Sequence, residues 1–238
     1  VAGAATAIGA LTTKAIEGYA AQEQLVGGVE TLFKTSSDTV VGYANDAYKT
    51  AGMSANEYME TVTSFSASLL ASMNNDTAAA AEKANVAITD MSDNANKMGT
   101  DISLIQNAYN GFAKQNYTML DNLKLGYGGT KEEMQRLLDD ASKLSGIKYD
   151  ISSYSDVVDA IHVVQTEMGI TGTTAKEAST TIEGSVSSMS SAWDNWVAGM
   201  ADSEANFSQL TSNLVDSIVT VVGNIAPRVI ETVPRLVS

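Results

Sequence analysis

The stretch Asn122-Leu-Lys-Leu-Gly-Tyr-Gly-Gly-Thr-Lys-Glu-Glu-Met-Gln-Arg-Leu-Leu138 holds both elements from which this chain is built, a glycine-rich break and a capped amphipathic helix. Gly126, Gly128 and Gly129 give the turn its backbone freedom. Thr130 stands at the helix N-cap position, with Glu133 three residues on. In such a capping box the hydroxyl accepts a free helix N–H and the glutamate reaches back to the cap's own N–H. Ser54-Ala-Asn-Glu57 and Thr174-Ala-Lys-Glu177 repeat the pattern, and Asp76 and Asp101 are simpler N-caps.

Working outward, the periodicity is helical throughout. Ala80, Ala84, Ile88, Met91, Ala95 and Met98 follow one another in threes and fours. So do Ala175, Ala178, Ile182, Val186, Met189, Trp193, Trp196 and Met200. Such spacing lays a narrow apolar stripe along a helix, and no sustained period-two stretch competes with it. Glycines mark breaks at 27–28, 52, 99, 126–129, 146 and 169–172. The spacing predicts helices over 3–25, 28–35, 38–51, 55–73, 77–98, 102–120, 131–144, 155–168 and 174–237, the last broken near Asp202 and Pro227. The expected fold is all-α: a multi-helix bundle, or an elongated helical or coiled-coil assembly, with glycine-rich breaks. Two regions are expected, a helical region over 1–145 and an extension over 146–238 with long amphipathic helices and an apolar C-terminal segment.

Composition supports this and excludes several functions. Aromatic content is 6%, and the only prolines are Pro227 and Pro234. The net charge of −14 argues against a DNA-gripping domain, which needs a basic face. It suits solubility, or a surface that DNA slides past. With no cysteine, disulfides and thiolate metal sites are excluded. The chain starts at Val1, the expectation for a fragment of a longer protein. The apolar runs before Lys14 and over Ile218–Ala226 are each read as too short to span a bilayer. Gly3/Ala7 and Ala5/Gly9 stand at small-xxx-small spacing, a weak signal of close helix approach.

The chemical motifs reduce to structural ones. Lys131 lacks the following Ser or Thr of a phosphate loop, and Glu132 and Glu133 would repel phosphate while suiting a helix N-terminus. His162 is the sole histidine and has neither a second histidine nor a cysteine for zinc or a triad, so a packed or half-exposed role is expected. The pairs Glu132/Glu133 and Asp139/Asp140 point in different directions on a helix and describe a solvated face rather than a glycosidase. Ile182, Val186, Met189, Trp193, Trp196 and Met200 form a candidate self-association stripe, with a bundle core or a membrane-interface anchor as its other uses. No catalytic residue, cofactor or metal is expected.

An ordered set of motifs resembles the core region of phage tail tape measure proteins of the Gram-positive phage and prophage type. It runs from Ala2-Gly-Ala-Ala-Thr-Ala-Ile-Gly-Ala10 through Lys14–Glu23 and Gly28–Phe33. It continues with Met53–Glu60, Ala78–Gly99, Ile105–Phe112 and the opening stretch 122–138. Residues 174–201 are similar to the later part of that region. The resemblance implies a mostly helical, non-enzymatic structural protein inside the tail tube, which sets tail length and leaves ahead of DNA. It also implies three copies, or six, and contacts with the tail tube protein, tail tip or baseplate proteins and assembly chaperones. DNA would lie adjacent without specific binding, and the host membrane could be touched during ejection. The places implied are the virion, in the tail lumen or tip, and the host cytoplasm during assembly. A phage-tail-like bacteriocin would use the same ruler. As one continuous helix the chain would span roughly 360 Å at about 1.5 Å per residue; the glycine breaks allow a compact domain instead. A membrane-associated signalling or translocation bundle shares the texture but calls for long unbroken heptads. A tail-associated hydrolase calls for a constellation that is not present.

Overall fold

The computed structural model describes the backbone of residues 2–237 and the side chains of 9–230; the small-residue spacing at Gly3, Ala5 and Ala7 lies outside the described side chains. The described residues form helices and turns without strands. The helices are α1 (Ala2–Phe33), α2 (Ser37–Thr50), α3 (Ala55–Ser72), α4 (Thr77–Met98) and α5 (Ile102–Phe112). They continue with α6 (Lys131–Ser145), α7 (Tyr154–Glu167), α8 (Thr173–Thr180), α9 (Ile182–Gly199) and α10 (Phe207–Val237). The chain is a packed bundle, so the single extended helix allowed by composition is not adopted.

Helix α4 is the axis. It touches α1, α2, α3, α5, α7 and α8, and from Ala87 to Ala95 nearly every residue is buried. Ala80, Ala81, Ala84 and Ala87 keep it slim, so neighbours approach closely and bury Tyr58, Phe65, Ile105, Tyr109 and Phe112 around it. The main core extends from Val29 to Ile170. Tyr149, Tyr154, Val157, Val158 and Ile161 from the α6–α7 segment belong to it, so the packing does not divide at residue 145. A small second cluster of Tyr48, Ala192 and Leu214 joins α2 to the α9–α10 hairpin.

Several helix starts lie where the caps put them. Ser54 and Glu57 make the full capping box, Asp76 accepts from Ala78 and Ala79, and Asp101 accepts from Ser103. Other boundaries differ. Gly27 and Gly28 do not break α1, because Gly28 lies against Thr63 of α3 with space for an ordinary contact. The break comes at Lys34, in the left-handed region at φ 51°. Helix α5 stops at Phe112 instead of 120. Asn116 folds back, its N–H donating to the Gly111 carbonyl at 2.9 Å, and Tyr117 packs beside Phe112. Thr174 is not an N-cap; α8 begins after Gly172. The predicted 174–237 helix breaks at Thr181, which caps α9, as well as near Asp202, and it runs unbroken through Pro227. The apolar run at Ile218 is therefore part of a longer helix. Over Phe207–Ile230 it is long and apolar enough, by length and composition, to cross a membrane.

Two glycines separate conformational from spatial need. A Cβ on Gly129 would lie 2.3 Å from the Thr118 carbonyl oxygen, whereas one on helical Gly42 would meet nothing within 4 Å. Gly129→Ala should therefore lower the urea-unfolding free energy by about 1–3 kcal/mol, because backbone must shift. Gly42→Ala should raise it by up to about 1 kcal/mol, the helix propensity difference. Equal effects at the two positions would contradict the close approach at Gly129.

Candidate functional site

Three places gather the chain's chemistry-bearing side chains. The first is the joint before α6. The Thr130 hydroxyl accepts the Glu133 N–H at 3.2 Å, as the cap pattern requires. The other half of the box is absent: the Glu133 carboxylate accepts the Gly128 N–H at 3.0 Å and not that of Thr130. Arg136 clamps the turn by donating to both Glu133 oxygens and, at 2.8 Å, to the Gly126 carbonyl, while its guanidinium lies 4.3 Å from the Tyr127 ring centre. The Arg136 contact, with the Gly128 N–H second, holds Glu133 down at about 2. The amide a phosphate would use is thus already occupied by a carboxylate. Asp140 takes the Tyr127 hydroxyl and Lys143.

The second place was not legible in the sequence: a polar spine buried in α4. Asp90, 1% exposed, faces His162 of α7, whose Nδ1 lies 2.9 and 3.0 Å from the two carboxylate oxygens. Asp93, fully buried, accepts the N–H groups of Gly172 at 2.6 Å and Thr174 at 2.8 Å. It is the true cap of α8, supplied across the bundle. Asn94 donates to the Leu123 carbonyl at 3.0 Å. Lys83 and Asp159 pair beside His162. Only the run Asp90-Met-Ser-Asp-Asn94 hinted at this, as polar residues close to an apolar stripe. The half-exposed position expected for His162 is the one observed, with a partner that no local pattern reveals. The acid pairs of α6 remain apart from this spine, and among the described residues no group of three or more histidines and acids could hold a metal.

The third place is the stripe. Thr181 separates it from Ala175 and Ala178 on α8, and within α9 it splits into two lines. Met189 and Trp196 turn inward against the Tyr48, Ala192 and Leu214 cluster. Ile182, Val186, Trp193 and Met200 lie outward, with Trp193 42% exposed. The rings of Trp193 and Trp196 are 5.3 Å apart and those of Trp196 and Phe207 5.5 Å, tying α9 to α10. The outer side of α10 adds Val215, Ile218, Val219, Val222, Val229 and Ile230.

Comparison with protein-family models, curated proteins and solved structures finds no match to this chain.

The Asp90–His162 pair makes stability depend on pH. The hydrogen bond that His162 donates to Asp90 raises the histidine above its ordinary value of 6.5, with Asp159 adding and burial and Lys83 opposing. Burial raises Asp90, against His162 and with Asp93 and Asp159. Both shifts mean the folded chain binds more protons than the unfolded one. The His162 contribution is complete below its unfolded value and is lost as pH rises through its folded value. Thermal midpoints should therefore decline as pH rises past the ordinary histidine value of 6.5. His162→Gln keeps a donor for Asp90 without titrating there and should flatten that segment of the profile. An unchanged slope would assign the dependence elsewhere.

Proposed function

We propose that this chain is a folded, non-enzymatic helical module of a phage tail tape measure protein, acting in tail-length determination and genome ejection. The observation that carries it is the ordered motif set over 1–145. In the fold motifs from Gly28 onward contribute to one core: Val29 and Phe33, Tyr58 and Met59, Ala84, Ile88, Met91 and Ala95, Ile105, Tyr109 and Phe112, and Met134, Leu137 and Leu138 all belong to it. A common core gives a reason for these motifs to occur together. The charge of −14 and the closed, carboxylate-filled joint at Gly126–Glu133 fit a protein that lies beside DNA without holding it.

In this proposal the outward line of α9 and the outer side of α10 are where copies associate, three or six at a time. The tail tube, tail tip or baseplate proteins and assembly chaperones are the other partners. The apolar length of α10 supports host-membrane contact during ejection, although Asp216 and Arg228 lie within it.

Two experiments test these points. In-frame removal of codons 1–238 from the parent gene should shorten tails measured by electron microscopy. Loss of roughly 360 Å, at about 1.5 Å per residue, means the segment is drawn out as helix in the tube. Loss of no more than roughly 50 Å, near the length of the 32-residue α1, means it is carried folded. Tails of unchanged length overturn the ruler role. Separately, sedimentation velocity over a concentration series should show the chain self-associating, with Val186→Glu/Trp193→Glu shifting it to monomer. A wild-type chain that stays monomeric throughout would remove the seam from the proposal.

A further inference from the structure

Helix α9 turns its small residues toward the body of the protein. Ser188, Ser191, Asn195 and Ala198 follow one another in steps of three, four and three along one side. Ser191 donates to the Gly52 carbonyl at 3.1 Å, Asn195 accepts the Ala55 N–H at 2.7 Å, and Ala198 lies against Gly18. Ser185, Ala192 and Gly199 are buried as well, and Val197 is the largest side chain that α9 buries. Ile182, Val186, Trp193 and Met200 lie outward instead. A surface helix ordinarily buries its large apolar side. Hydrophobic stabilisation follows the apolar area removed from water, so a seam of serine, asparagine and alanine holds α9 to the body weakly.

The α8–α10 segment is well joined within itself. The Glu177 backbone of α8 lies so close to Gly184 of α9 that a Cβ there would come within 2.5 Å of it. Asn224 of α10 donates to the Thr181 carbonyl at 3.0 Å, and the Trp196 indole N–H donates to the Thr211 hydroxyl at 3.1 Å. Helix α10 has α9 as its main neighbour. The covalent connection to the body is short. Ile170 is still buried in the main core, and two residues later Gly172 stands in the left-handed region at φ 82°, a conformation that suits a pivot. Beside that pivot the fully buried Asp93 accepts the Gly172 and Thr174 amides.

We propose that α8–α10 is a hinged arm that undocks as a unit from the folded α1–α7 body, pivoting at Gly172 with Asp93 as its latch. Undocking uncovers the sides of α1 and α2 that α9 covers, and it leaves the main core closed, because no residue of α8, α9 or α10 belongs to that core. Such openings below the global one are a recognised form of native-state motion.

The chain has no cysteine, so one introduced thiol reports on one place. Ser188→Cys puts it on the inner side of the arm, and Val62→Cys puts it in the main core. Thiol labelling without denaturant should modify Ser188→Cys about 100-fold faster than Val62→Cys, the gap between a local and a global opening. Adding Asp93→Asn should speed labelling at Ser188→Cys about tenfold, through weakened charge-assisted hydrogen bonds, and leave the Val62→Cys rate unchanged. Asn195→Ala, which removes a different link and leaves the core untouched, should act in the same direction and stands in if Asp93→Asn does not fold. Equal labelling at the two thiols means that the arm opens only when the whole chain unfolds. A Ser188→Cys rate that ignores both link variants means that the thiol is reached without undocking. Either result overturns the proposal.

Discussion

Three carbonyl- and carboxylate-bearing side chains inside one helix hold the rest of this protein in place. Asp90, Asp93 and Asn94 are buried in α4, where an unpaired charge would be prohibitive. Each is relieved by a different part of the chain: Asp90 by His162 of α7, Asp93 by the first amides of α8, and Asn94 by the carbonyl that ends the 3-10 turn at Leu123. Alanine and methionine faces alone would let α4 rotate or slide among its neighbours with little change in packing. The polar groups remove that freedom, because any other register strands a carboxylate in the core. The slimness of α4 and its polar spine therefore act together, one admitting six helices around it and the other fixing where they meet it.

How much of this the sequence discloses depends on the range of the interaction responsible. The N-caps at Ser54, Asp76 and Asp101 are local, and the helices they start are correctly read from residues three apart. Thr174-Ala-Lys-Glu177 has the same pattern and fails, because Asp93, distant in sequence, already holds the Thr174 amide. Gly27-Gly28 reads as a break, but α1 continues through it and α3 lies against Gly28. At the Gly126–Glu133 joint the residues were legible and their partners were not, since Arg136 redirects the glutamate that would have closed the box. The stripe on α9 was visible as a period. Its division into an inward and an outward line appears only once α10 is in position. The α4 spine leaves only the polar run Asp90-Met-Ser-Asp-Asn94 as a trace, because its partners come from segments remote in the chain.

Several of the reactive groups are engaged by the chain itself. The lone histidine orients toward a buried aspartate, the glycine loop is closed by its own glutamate, and the paired acids of α6 bond to Tyr127, Gln135 and Lys143. Apolar surface, by contrast, is left exposed along α9 and α10. The named reactive groups are engaged within the chain, while a row of apolar side chains on its C-terminal hairpin is not covered by it.

Helix α8 buries none of its own residues. It is joined to the body through the two amides accepted by Asp93, and the α9 hairpin beyond it through Ser191 on the Gly52 carbonyl, Asn195 on the Ala55 amide and the Gly18–Ala198 contact with α1. With the small apolar cluster of Tyr48, Ala192 and Leu214, these attachments are separate from the continuous apolar core that holds the α3–α7 body. Under tension applied from the C-terminal side, the load reaches this row of discrete links before it reaches the core. The bundle is thereby graded mechanically: a peripheral hairpin that can be peeled away contact by contact, and a central body that yields only as a whole.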